Sequence, residues 1–154
     1  MNIDQAQLAD AATISRLHGA CFVRGWSERD VANFLASPGA IALIASTEKP
    51  VGFVLARLVL DEAELVSIGV CHAGRRSGVG RALVERLRSL LGERGVRVIF
   101  LEVAADNASA IALYGQVGFR SSSRRSHYYP RENAAPIDAI VMRLDLPWRA
   151  PCGS

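Results

Sequence analysis

The chain has 154 residues, of which 50% are hydrophobic and 21% charged, with a formal net charge of +3. That length fits one domain around one sizeable core, and the composition excludes a disordered chain. The mild positive balance fits a nucleic acid, an anionic cofactor or an ordinary solvated surface, and selects none of them.

Cys21, Cys71 and Cys152 are odd in number and far apart. They form neither a disulfide framework nor a zinc-ligand pattern. His18, His72 and His127 form no pair at helical spacing, so no metal is expected. The first ten residues carry Asp4 and Asp10 where a signal peptide would have a basic start and an apolar run. The most apolar stretch, "VGFVLARLVL", is too short to cross a bilayer and contains Arg57. A cytoplasmic protein without membrane contact is the expectation.

In chain order, residues 8–22 have helical apolar spacing. In "GWSERDVANFL", Ser27 is a candidate N-cap with Asp30 three residues on, and Val31, Phe34 and Leu35 form the stripe. Two strand patterns follow, "AIALIAS" and "VGFVLARLVL", joined by a polar "TEKP" turn. A third, "AELVSIGV", alternates Val66, Ile68 and Val70 on one face with Leu65, Ser67 and Gly69 on the other. From Val79 the period changes: Val79, Leu83, Val84, Leu87, Leu90 and Leu91 mark an amphipathic helix, which Gly92 or Gly95 can end. "VRVIFLEV" is apolar on both faces, as a covered central strand is. Asp106 or Asn107 caps a helix over "ASAIALYGQV", stopped by Gly118. After an irregular stretch with Tyr128, Tyr129 and Pro130 comes a last strand, "AIVMRLDL". The pattern predicts a single α/β domain over residues 1–147 with a mixed sheet, and a frayed tail at 148–154.

The stretch "RRSGVG", residues 75–80, lies between a strand pattern and a helix pattern. A helix start offers amide groups without partners and the positive end of the macrodipole. Gly78 and Gly80 let an anion approach the backbone, and Arg75, Arg76 and Arg81 add charge. Gly80 is followed by Arg81 and Ala82, which excludes a Walker loop, and Leu83 stands where a dinucleotide fingerprint needs its third glycine. Two readings fit: a phosphate or pyrophosphate site, or a tight turn with solvated arginines. No RNA-module motif is present, and no aromatics interleave with the basic loop, so direct nucleic-acid binding is not expected.

Arg75-x-x-Gly78-x-Gly80, after a strand and opening a helix, resembles the acetyl-CoA pyrophosphate loop of the GCN5-related N-acetyltransferase superfamily. "LEVAADNASAIALYGQVGF" is similar to that superfamily's next strand and helix. The resemblance implies a GNAT-like fold with a mixed, mostly antiparallel central sheet flanked by helices, and acetyl-CoA as acetyl donor. It also implies cofactor contacts at Arg75, Arg76, Ser77, Gly78, Val79, Gly80, Arg81 and Asn107. A strand splay near Ile68, Gly69 and Val70 would let main-chain groups face the thioester. "GWSERD", "VLDEAELVSIGV", "LEVAADNASAIALY", "RRSHYYP" and "DAIVMRL" resemble the bacterial alanine acetyltransferases that modify a small-subunit ribosomal protein. That implies the N-terminal peptide of a ribosomal protein as partner and substrate; another protein N-terminus, a lysine or a small amine is the alternative.

Acetyl transfer to an amine needs a base, donors for the carbonyl oxygen and an acid for the departing thiolate. Glu102 shares a strand face with Val98 and Phe100. If buried there, it suits a general base; it could also reach solvent or pair with an arginine. The resemblance favours the base. Asn107, Ile111 and Tyr114 share one helix face. Tyr114 fits a core tyrosine or a proton donor, and the resemblance favours the donor. Asn107 could serve only as a helix cap; the resemblance also sets it against the cofactor. Gly69 suits a bulge or plain close packing. Trp26, Tyr128 and Tyr129 could wall a peptide slot or cover the sheet edge. An α-amino group, with pKa about 8 against about 10.4 for lysine, demands less of the base. Gly115 and Ile137 depart from the resembled enzymes, where acidic residues occur beside Tyr114 and before the "DA" pair, and both bear on peptide specificity.

Overall fold

In a computed structural model, residues 1–147 are described except Arg76, Glu132 and Asn133. The expected tail at 148–154 and the Arg76 contact lie outside the described residues. The strands are β1 (Asn2–Gln5), β2 (Ala40–Ser46), β3 (Pro50–Val59), β4 (Glu62–Val70), β5 (Val98–Ala104), β6 (Arg120–Arg131) and β7 (Ala134–Asp145). The α-helices are α1 (Ala11–Cys21), α2 (Glu28–Ala36), α3 (Val79–Glu93) and α4 (Ala108–Val117). The strands form one sheet in the order β1-β2-β3-β4-β5-β7-β6. Each neighbouring pair is antiparallel except β4 with β5. This is the expected α/β fold with a mixed, mostly antiparallel sheet.

Helices cover both faces. Ile14 and Leu17 of α1 and Val31 and Phe34 of α2 pack on Ala42, Ile44, Phe53 and Leu55. Leu83, Leu87 and Leu91 of α3 and Val117 of α4 pack on the opposite face with Ile41, Val54, Ile99 and Leu101. The helix ends follow their capping residues. Ser27 Oγ accepts from the Asp30 amide at 3.1 Å, and Asp30 Oδ2 accepts from the Ser27 amide at 3.1 Å, closing a capping box. Asn107 rather than Asp106 caps α4, its Oδ1 accepting from the Ala110 amide at 3.2 Å. Gly95 (φ 84) and Gly118 (φ 116) adopt left-handed conformations just after α3 and α4; Gly92 stays inside α3.

Four local expectations are corrected. The predicted first helix begins as a 3-10 turn at Leu8–Asp10 and is α-helical only from Ala11. The irregular stretch before the last strand is β6, twelve residues long and mostly exposed. It is an edge strand whose order comes from backbone pairing with β7, so no apolar alternation marks it. β7 accordingly starts at Ala134, five residues before the predicted strand. β5 is covered on one face only: Ile99, Leu101 and Val103 belong to the core, while Phe100 and Glu102 face a cavity.

The alternation read along β4 also fails, for a physical reason. Leu55 pairs with Ser67 and Ala56 with Leu65, so Val66 is an extra residue, a β-bulge. The bulge turns Val66 and Ser67 toward α1, while Leu65 shares the α3 side with Ile68 and Val70. Gly69 itself is in regular register opposite Phe53. Its role is close packing: a Cβ there would lie 2.7 Å from Phe53 Cε1 and 2.8 Å from Cys21 Sγ. Gly69→Ala is therefore expected to destabilise the fold by about 1–3 kcal/mol through overpacking, read as a lower midpoint in chemical denaturation. An unchanged midpoint would contradict this packing.

Candidate functional site

β4 and β5 pair only at Glu62–Val98, Ala63–Ile99 and Glu64–Phe100. Beyond that they part, and β4 keeps a strand partner only on its β3 side. Val70 ends β4, and a short 3-10 turn at His72–Gly74 leads to α3. Gly78 is the α3 N-cap at φ 79, ψ 12, with no side-chain cap. The Ala82 amide bonds to the Gly78 carbonyl, whereas the first-turn amides before it have no intrahelical partner. Gly80 sits where α3 and α4 approach: its Cβ would lie 3.3 Å from Leu113 Cδ2.

A groove of about 660 Å³ runs from this helix start along the gap. Of the residues expected to hold the cofactor, Arg75, Gly78, Val79, Gly80 and Arg81 line one end. Ile68, Gly69 and Val70 line the β4 wall, and Asn107 the α4 wall. Ser77 does not line it; its hydroxyl donates to the Gly74 carbonyl at 2.7 Å and braces the turn. Arg75 Nε donates to the Val70 carbonyl at 3.1 Å, which pins this arginine at the strand end.

Tyr114 lines the same groove and is 5% exposed, with its ring against Phe119 at 5.7 Å. Burial, and secondarily the nearby Tyr129, pushes its pKa up to about 12. Asn107 and Tyr114 both line the groove, and Ile111 between them is partly buried against the core without lining it. Ala110 and Leu113 line the groove beside them.

Glu102 lies in a separate cavity of about 500 Å³, on the sheet face away from α3. The burial on which its expected role rested is not found. Its side chain is 26% exposed, and Arg125 Nη1 stands 3.2 Å from Oε1. Arg57, Glu62 and Glu64 share this cavity. None of the four was expected at the site, because each is a charged strand residue and the strands that meet here are distant along the chain.

Tyr129 stands electrostatically between the two: burial and then the Glu102 charge raise its pKa, and it in turn raises that of Tyr114. Tyr128 and Tyr129 meet edge to face at 5.2 Å. Trp26 is not with them. It lines a third hollow with Asp30, Asn33 and Arg57, and stacks on His18 at 5.3 Å. Arg57 borders both that hollow and the Glu102 cavity. His18 is buried; its Nδ1 accepts from the Trp26 amide at 3.1 Å, and its Nε2 lies 3.3 Å from Ser67 Oγ. Burial lowers its pKa, so the ring is held neutral between α1, the Trp26 loop and β4. Among the described residues no cluster of metal-ligating side chains occurs, and no helix is long and apolar enough to cross a membrane.

A family model described as the acetyltransferase (GNAT) family matches residues 11–119. The ribosomal protein bS18-alanine N-acetyltransferase of Escherichia coli K12 is 40% identical over 121 residues, covering 79% of this chain and 81% of that one. That of Haemophilus influenzae Rd is 29% identical over 144 residues, 94% of this chain and 98% of its own. The crystal structure of the ribosomal-protein-S18-alanine N-acetyltransferase from Escherichia coli superposes with a TM-score of 0.88 at 33% identity, over 99% of this chain and 97% of that one.

The raised pKa of Tyr114 has a stability consequence. The folded state holds the phenolic proton above the usual tyrosine value of about 10, so its contribution is complete below that pH. It is lost as pH rises from about 10 to about 12, where the unfolded chain ionises first. Tyr114→Phe is expected to show a shallower loss of stability across that window, measured by urea denaturation at stepped pH; parallel curves for both proteins would contradict it.

Proposed function

The chain belongs to the acetyltransferase (GNAT) family, and we propose that it transfers acetyl from acetyl-CoA to the α-amino group of the N-terminal alanine of a small-subunit ribosomal protein. One observation carries the transfer. Where β4 and β5 part, a groove with an open helix N-terminus runs up to Tyr114, and the cavity holding Glu102 opens on the other face. The choice of peptide is supported by the similarity to enzymes named for that reaction. A ribosomal substrate entails a cytoplasmic location.

The groove suits acetyl-CoA. Gly78 has no atom within 4 Å of a would-be Cβ, and its left-handed φ opens the first-turn amides to a diphosphate. Gly78, Val79, Gly80 and Arg81 would hold that group, with Arg75 beside it. Ile68, Gly69, Val70 and Asn107 would flank the pantetheine arm. Acetyl-CoA supplies the acetyl thioester, an acyl group joined to a good leaving thiol.

Glu102 takes a proton from the incoming ammonium, directly or through water, leaving the nitrogen lone pair free to form the new N–C bond. Amides of β4 without a β5 partner donate to the carbonyl oxygen as negative charge gathers there. Tyr114, protonated throughout the physiological range, gives its proton to the departing sulfur as the C–S bond breaks, and the second proton of the acylated nitrogen passes back to the phenolate through solvent. Tyr128 and Tyr129 flank the amine's approach. Trp26, set in the next hollow beyond Arg57, meets residues further along the peptide.

Glu102→Gln is expected to lower kcat at least about 100-fold, because the proton acceptor is gone. Coenzyme A affinity should stay within about twofold, since Glu102 does not line the groove. Full turnover by that variant would remove Glu102 as the base. A panel of peptides differing at the first residue, with one N-blocked peptide carrying a lysine, tests the acceptor. Preference for alanine supports the ribosomal reading, and equal rates on unrelated amines overturn it.

A further inference from the structure

The Glu102 carboxylate has a partner that the reaction as described does not use. Arg125 Nη1 lies 3.2 Å from Glu102 Oε1, reaching from β6 across β7 to β5. The same guanidinium stands over the Tyr128 ring, 5.1 Å from its centroid. In a regular strand, residues three apart point to opposite faces, so Arg125 and Tyr128 would not meet. They meet because β6 is kinked between them: His127 has φ 55, and the register shifts between Arg125 and Tyr129. Asp138 pins that kink, accepting from the His127 amide at 2.9 Å and from the Arg124 side chain.

The pair is not a stability device. Both side chains are partly solvent-exposed, and ion pairs of that kind contribute little to folding. Its consequence falls on the carboxylate. The other charged or titratable groups around Glu102 are Arg57 from β3, Glu62 and Glu64 from β4, and Tyr129 from β6. Among the described residues, Arg125 is the cation in direct contact with Glu102.

We propose that Arg125 is the positioning residue for the base: it fixes the orientation of the Glu102 carboxylate and ties it to the aromatic wall through Tyr128. This rests on Glu102 acting as the base. A guanidinium suits the task because its plane can hold a carboxylate and a ring face together, which an ammonium does poorly.

The test is carbon-13 NMR of the labelled glutamate carboxyls at neutral pH, with Glu102 assigned by its loss in E102Q, alongside steady-state kinetics. In R125Q the Glu102 carboxyl resonance should move, because its contact is gone. There kcat should fall about tenfold, with a smaller change in peptide KM. R125K should leave kcat about threefold low, since the charge returns without the plane. An unmoved Glu102 resonance in R125Q overturns the proposal. Should R125Q fail to fold, R125K decides alone: a wild-type kcat overturns the tether, and a reduced kcat supports it. Full turnover in E102Q would be a separate failure, that of the base assignment, because the carboxyl resonance is read whether or not the enzyme turns over.

Discussion

β4 and β5 share three residue pairs and then part, and the site depends on that parting. A parallel pair in mid-sheet normally continues, because each unmade ladder bond leaves a buried donor or acceptor without a partner. Here the bulge at Val66 bends β4 away just past the last shared pair. The separation leaves main-chain groups on β4 without a strand partner and an opening in the sheet. A ligand with hydrogen-bonding groups along an extended arm satisfies such groups, and a pantetheine chain is one.

The opening also explains why the proposed base and acid come from different surroundings. Tyr114 reaches the gap from α4, on the packed side, where burial keeps its proton in place. Glu102 reaches it from the half-exposed side, where Arg125 is its ion-pair partner. The proposed roles follow that division, one group giving a proton and the other taking one, as amine acetylation requires. The second face is where a peptide can enter without crossing the donor. The kinked edge strand β6, held by Asp138, sets the paired tyrosines beside Arg125.

The sequence showed most of the architecture. α2, α3 and α4 were readable from their caps and apolar stripes, and the β2–β4 meander from its runs of branched residues. The glycine loop and the Asn107 cap pointed to the groove. What stayed hidden has a common cause. β6 carries Ser and Arg at positions that face solvent, so only its hydrogen bonds to β7 make it a strand. The bulge at Val66 breaks no pattern in the residues themselves; it exists as a mismatch in count against β3. Arg125 joins Glu102 across 23 residues of chain, and no local spacing announces such a contact. The burial expected of Glu102 failed because β5 looks apolar on both faces, while the second face has no helix over it at that point.

The most direct test of this account is amide chemical-shift mapping on addition of coenzyme A. The account predicts the largest changes at Gly78–Arg81, with further changes along Ile68–Val70 and at Asn107, and small ones around Glu62, Glu64 and Glu102. Changes confined to the Glu102 cavity, or none at the α3 N-terminus, would contradict it.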